Sequence, residues 1–217
     1  MMNLLKPVKA LLFSIALVSV VKQPALAEVP TYTNPYTMME VVADKAFNRI
    51  KQDQALIAEN KEHLRTIVIE ELLPYIDSRY AAGTVVGRTV DIRQQPEVFA
   101  EFVKAFEQYM VQSYAGALTY YRDQQVIIEP ERPIENQNII TIRTRVIDPG
   151  KPDITIDFKL RRNRSTEQWL VIDMVAEGIS LLDSKRAELS NLIRQQGLAS
   201  VTALLIEKSK DPIVVPE

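Results

Sequence analysis

The chain has no cysteine and a single histidine in 217 residues. Without cysteine no disulfide can staple the fold, so its stability must rest on an apolar core. A lipid anchor on an N-terminal cysteine is excluded for the same reason. One histidine and no thiolate are too few ligands for a typical zinc site. That histidine, His63, stands among Lys61, Glu62 and Arg65 near a helix start, the setting of a solvated surface side chain. Also missing are a glycine-rich phosphate loop, a nucleophile elbow and a histidine-based metalloprotease motif. Past residue 27 no long apolar run occurs.

The first 27 residues are of a different kind. Met1 to Ala10 carries Lys6 and Lys9 and no acid, and Leu11 to Val21 is an apolar run, Leu-Leu-Phe-Ser-Ile-Ala-Leu-Val-Ser-Val-Val. Ala25-Leu26-Ala27 then gives the small-x-small pattern cut by a signal peptidase, so residues 1–27 read as a secretory signal peptide. A transmembrane anchor is the competing reading, but the 11-residue apolar run is well short of the roughly 20 residues needed to span a bilayer. An exported, cysteine-free, unanchored body fits the periplasm of a Gram-negative bacterium. Loss of the leader's three lysines leaves 23 of the 26 basic residues against 28 acidic ones, a net charge of −5. That balance speaks against nucleic acid, or an anionic membrane surface at large, as an electrostatic partner. Residues 28–217 have the length of one domain, expected to be a monomer.

The body divides by hydrophobic period. From Asn34-Pro35, a good helix start, to Tyr121 the period is helical (35–121). Met38, Val41, Val42, Phe47 and Ile50 mark a first helix; Leu64, Val68, Leu72, Tyr75 and Ile76 mark a second, with Pro74 near its end. Tyr80 to Val86 is an apolar stretch bounded by Gly87. Pro96 opens the longest helix, whose broad apolar face carries Phe99, Phe102, Val103, Phe106, Met110, Ala117 and Tyr121. At Gln124 the period falls to two, and 124–176 reads as an antiparallel meander of about four strands. In it Ile140, Ile142, Thr144 and Val146 share one face, as do Ile154, Ile156, Phe158 and Leu160. Asp148-Pro149-Gly150-Lys151-Pro152 is a turn by residue chemistry. On the last strand, Trp169 to Val175, either Ile172 and Met174 or Val171 and Val175 face the core, the first pair being preferred. Helices return over 180–209. The fold class is α+β, with helices laid over the sheet's apolar face.

Chemistry is sparse. Glu70 and Glu71 are adjacent on a helix, so their side chains diverge. Asp173 alternates with Trp169, Val171 and Val175, where burial could raise its pKa and make it a general base, as in cone folds of the ketosteroid-isomerase type. The other reading puts it on the wet face beside Lys159. No metal or cofactor is expected. Periodicity cannot separate a filled core, that of a structural adaptor, from a hollow one.

Several segments resemble the MlaC family of periplasmic phospholipid-binding proteins. They are Thr33-Asn34-Pro35-Tyr36; Leu64-Arg65-Thr66-Ile67-Val68 through Glu71-Leu72-Leu73-Pro74-Tyr75 to Arg79-Tyr80-Ala81; Val146-Ile147-Asp148-Pro149 with Gly150 and Pro152; and Asp173-Met174-Val175-Ala176-Glu177-Gly178-Ile179-Ser180. Their order and spacing run through nearly all of the body. The resemblance implies a cystatin-like or NTF2-like sheet packed with helices, an acyl-chain pocket between the layers, and no catalysis. It implies a carrier of phospholipid between an outer-membrane lipoprotein–porin complex and an inner-membrane ABC transporter with an MCE-domain ring, serving outer-membrane lipid asymmetry. Two acyl chains hold about 30 methylenes, whose exposure to water costs on the order of 25 kcal/mol at roughly 0.8 kcal/mol each, so a carrier must enclose them. The expected lining is Ile140, Ile142, Val146, Ile156, Phe158, Ile172 and Met174 on the sheet, opposite Leu72, Ile76, Phe99, Val103, Phe106 and Met110.

Overall fold

Asn34 begins the first helix as its residue chemistry requires. In the computed structural model, which describes residues 29–214, its side-chain oxygen accepts from the backbone N–H groups of Tyr36 and Thr37. Pro35 fills the first turn of α1 (Pro35–Gln52), where a missing N–H costs nothing. The leader read at 1–27 lies outside the described residues.

Two short helices follow, α2 (Gln54–Glu59) and α3 (His63–Ile67). The single helix expected from Leu64 to Ile76 is instead wound in three ways. Past α3, Val68–Leu72 forms a π-turn and Leu73–Tyr75 a 3₁₀ turn containing Pro74. Proline has no N–H for the helical ladder and crowds the carbonyl one turn before it, so regular winding cannot pass through. Ile76 is already extended and makes a parallel bridge with Val171. The apolar stretch before Gly87 is a helix, α4 (Ser78–Val86), capped by Asp77 and stopped by Gly87 at φ +57°. The longest helix, α5 (Pro96–Leu118), ends one turn before the expected Tyr121.

The sheet is an antiparallel meander of β1 (Gln125–Ile128), β2 (Ile139–Ile147), β3 (Ile154–Arg162), β4 (Trp169–Ala176) and β5 (Ile179–Ser180), in that order. The two-residue β5 adds to the four strands expected. Between β2 and β3 the Lys151 N–H donates to the Asp148 carbonyl at 3.0 Å, and Gly150 takes φ +85°. This is a type II turn, which needs a residue free to adopt positive φ at its third position. On the wet face Arg143 grips Asp157 across the strands at 2.8 and 3.1 Å, holding that carboxyl below its usual range. Two helices close the chain, α6 (Leu181–Gln196) and α7 (Leu198–Lys208). No described helix is long and apolar enough to cross a membrane.

Apolar side chains gather in three clusters. One joins α4, α5, α6 and α7 through Val85, Phe102, Phe106, Leu189 and Val201. A second lies between the sheet and α1. The third, with Ile50, Leu64, Ile67, Val111 and Ala115, ties α1 and α3 to α5. The fold is α+β, but the helices are not spread evenly over the sheet. Of the long helices it is α1 that lies on the apolar face, while α4 to α7 pack mainly on one another. That helical body is joined to β4, where the Asp77 N–H donates to the Val171 carbonyl at 2.9 Å beside the Ile76 bridge.

Candidate functional site

Strand pairing decides which side chains share a face. Ile142 stands opposite Phe158, and Phe158 opposite Met174; Ile140 stands opposite Leu160, and Leu160 opposite Val171. Thr144 and Ile156 complete the same face with Val146 and Ile154. Between Lys159–Asp173 and Leu160–Val171 the register slips, leaving Ile172 without a partner on β3. This bulge overturns both expected pairs on β4. The apolar face takes Val171 and Met174, one from each, because the extra residue reverses the alternation between them. Ile172 is buried but belongs to none of the three clusters.

The apolar face is covered along only part of its length. Ile140, Ile142, Leu160 and Trp169 are buried beneath Tyr36, Met38, Met39 and Val42 of α1 and beneath Tyr75. Toward the β2–β3 turn the cover ends: Val146, Ile156, Phe158 and Met174 are half-buried, and Ile154 is 47 % exposed. Ile179, next to the end of β4, is 64 % exposed. Thr144, the polar group on this face, is buried and donates its hydroxyl to the Ile156 carbonyl at 2.9 Å, so no unsatisfied atom offsets the apolar character. Open apolar surface forfeits roughly 25 cal/mol per Å², and a strip several side chains long is worth covering.

On the helical side, Leu72 packs against both the sheet cluster and the cluster under α3. Tyr114 of α5 likewise touches two clusters. Burial, with the nearby Asp173 carboxylate adding to it, pushes the Tyr114 hydroxyl up to about 12. The rest of the expected helical wall lies elsewhere. Phe99, Val103, Phe106 and Met110 are buried among α4, α6 and α7, and Ile76 packs against that same cluster. They do not oppose the sheet. The broad face of α5 is used by partner helices bearing Val85, Leu189, Val201 and Leu205, which a helical period cannot reveal. The wall over the sheet is α1 and Tyr75 instead. Met38 and Val42 were visible at helical spacing, but nothing in the sequence showed which layer they would meet. Tyr75 and Trp169 stood on apolar faces with no sign that they would meet each other, and Met39 gave no signal of its own.

The candidate chemical groups are tied into the fold. Asp173 is buried and accepts from Lys159 Nζ at 3.0 Å, Ser180 Oγ at 2.8 Å and the Leu182 N–H at 3.1 Å. It thus fastens the start of α6 to the sheet. His63 is not the solvated side chain expected: it is half-buried, with Nε2 2.7 Å from Asp53 Oδ2, an oxygen that Arg49 also approaches. Glu70 and Glu71, expected to diverge, both reach Arg49, at 3.2 and 3.6 Å.

These features can be set beside known proteins. The model of the family described as MlaC protein matches residues 40–207, from within α1 almost to the end of α7. The chain belongs to the MlaC family. Among MlaC relatives, the intermembrane phospholipid transport system binding protein MlaC of Haemophilus influenzae is 33 % identical over 195 residues, 89 % of either chain. A phospholipid-binding protein from Ralstonia solanacearum, solved in complex with a phospholipid, superposes with a TM-score of 0.70. At 22 % identity, over 80 % of this chain and 96 % of that one, it shows that the MlaC fold is shared.

Proposed function

We propose that this chain is a carrier of phospholipid that shelters acyl chains against the uncovered part of its sheet and moves lipid between membranes across the periplasm. The observation that carries this reading is the apolar face left half open, from Phe158 and Met174 to Ile154. A family whose member is named for intermembrane phospholipid transport, and a shared fold that holds a phospholipid elsewhere, support it.

The physical task matches the surface. Acyl chains need cover from water, worth on the order of 25 kcal/mol for two of them, whereas a charged headgroup is best left hydrated. An apolar strip closed at one end and open at the other does both. The same cost makes unassisted release of lipid from a bilayer slow, so loading and delivery would take place on membrane complexes. An outer-membrane lipoprotein–porin complex and an inner-membrane ABC transporter bearing an MCE-domain ring are the partners we infer. We read Asp173 as a structural fastening rather than a base, since Lys159, Ser180 and Leu182 hold it. Chloroform extraction of the purified protein, followed by mass spectrometry, tests the proposal. Phospholipid in roughly one-to-one amount is expected; extracts free of lipid from protein purified without detergent would refute it.

A further inference from the structure

A recess lies on the helical body, where the loop after α4 meets α6. It has a volume of about 420 Å³ and is lined by Val86, Gly87, Arg88, Thr89, Arg186, Ser190 and Arg194. Arg186, Ser190 and Arg194 recur every four residues, so they form one stripe along α6. Gly87 admits Arg186 closely: a Cβ at this residue would stand 3.5 Å from Arg186 Nη2. Its φ of +57° also disfavours any side chain there.

Among the described residues the three guanidinium groups, of Arg88, Arg186 and Arg194, form no ion pair with an acid. Of the acids near them in sequence, Asp91 pairs with Arg93 at 3.3 Å and Glu188 with Lys185 at 2.7 Å, and Asp183, one turn before Arg186 on α6, stands 3 residues away without an ion pair to it. Complementing the helix dipole explains a cation such as Arg194 in the last turn of α6, but not Arg186 two turns earlier or Arg88 on another segment. Like charges gathered on a protein of net charge −2 repel one another, so the cluster is not explained by a gain in folding stability. Guanidinium groups offer paired, fixed donors that match the oxygens of a phosphate, and the Thr89 and Ser190 hydroxyls supply further donors.

We infer that this recess is a binding site for a phosphate group, carried either on the headgroup of an anionic lipid or on a soluble phosphate ester. It lies apart from the uncovered sheet: α4 starts beside β4 at Asp77, and the recess is at the other end of that helix. The inference therefore does not rest on the acyl-chain reading.

The test uses the whole mature protein with its lipid. Inorganic phosphate is titrated and followed by amide chemical shifts, with chloride at equal ionic strength as the reference. Flotation with phosphatidylcholine vesicles, with and without phosphatidylglycerol, forms the second arm. Arg186→Glu is compared with Arg164→Glu, an equal change of charge at an exposed turn between β3 and β4. Saturable phosphate binding without vesicle binding supports a soluble ester; phosphatidylglycerol-dependent flotation supports a headgroup. In either case Arg186→Glu should weaken binding at least tenfold and Arg164→Glu less than twofold, with the co-purifying lipid unchanged in both. Equal losses in the two variants, or no response to either probe, would overturn the site. Binding of hexaglutamate but neither phosphate nor vesicles would also overturn it, in favour of an acidic protein segment. Loss of co-purifying lipid in a folded Arg186→Glu protein would overturn the separation of the two sites.

Discussion

Placing a carboxylate at Ile142 and, separately, at Ile156 asks whether the sheet face is solid core at one end and ligand surface at the other. The two residues are on the same face, with Ile142 on β2 and Ile156 on β3. Ile142 is completely buried under α1, while Ile156 is half-buried where the cover has ended. In Ile142→Glu the new charge has no water and no partner, a penalty of about 3–5 kcal/mol, to which the lost burial of isoleucine adds roughly 2 kcal/mol. Against a typical total stability of about 5–15 kcal/mol, that is enough to leave the variant largely unfolded or confined to inclusion bodies. In Ile156→Glu water reaches the carboxylate while the open face carries no lipid, so folding stability should change by only about 1 kcal/mol. Acyl chains would then strip that water away. If roughly 3 kcal/mol of the penalty falls on the loaded state, lipid affinity drops about a hundredfold. Urea unfolding followed by circular dichroism, with lipid quantified by mass spectrometry on the same preparations, separates the two outcomes. A folded Ile156→Glu protein with a full lipid load would refute the assignment of the open face. Two unfolded variants would mean that the face is core from end to end.

Asp173→Asn removes the ion pair with Lys159 and disturbs two further donors, so it should cost about 2–4 kcal/mol in urea unfolding while the folded fraction keeps its lipid; abolished lipid carriage at unchanged stability would contradict the structural role. Asn34→Ala leaves the Tyr36 and Thr37 N–H groups uncapped and should cost about 1 kcal/mol, a fall of roughly 2–4 °C in Tm by calorimetry. Tyr114 predicts an alkaline limb. Its hydroxyl is held up to about 12 in the folded state, whereas the unfolded side chain ionises near 10. The folded protein thus retains a proton that the unfolded chain gives up, and stability falls as pH rises from about 10 to about 12. Tyr114→Phe should be flatter over that window, and identical slopes for the two proteins would discount the buried hydroxyl.

The parts of the fold that were legible are those set by local chemistry. Asn34-Pro35 could only open a helix, Pro149-Gly150 could only turn, and the alternation from Ile140 to Val146 could only be a half-buried strand. Three features were not legible, each for a physical reason. The bulge at Ile172 is one residue inserted in a strand, and a reading with period two has no means of placing it. The π-turn after Ile67 keeps an apolar face close to the helical one, so its wider winding leaves no mark in the pattern. For α5 the periodicity located the buried face of Phe99, Val103 and Phe106 but not the partner, because α4, α6 and α7 offer the same aliphatic surface as a sheet. Hence most of the sheet residues named share one face, Ile172 excepted, while most of the helical residues named are buried within another cluster.

The partly roofed sheet has a consequence for the protein's own durability. A ligand lying along Ile154, Ile156 and Met174 would occupy the place of missing core side chains, so the loaded protein would be the fully packed one. Mass action then raises its resistance to unfolding with every decade of lipid above the dissociation constant, by about 1.4 kcal/mol each time. An emptied molecule loses that support and exposes Ile154 and Ile179 together, the kind of bare patch through which proteins stick to one another. Melting temperatures of separate preparations would therefore report their lipid content before they reported anything about the polypeptide. On the carrier reading proposed above, the hazardous form is the molecule emptied of its lipid.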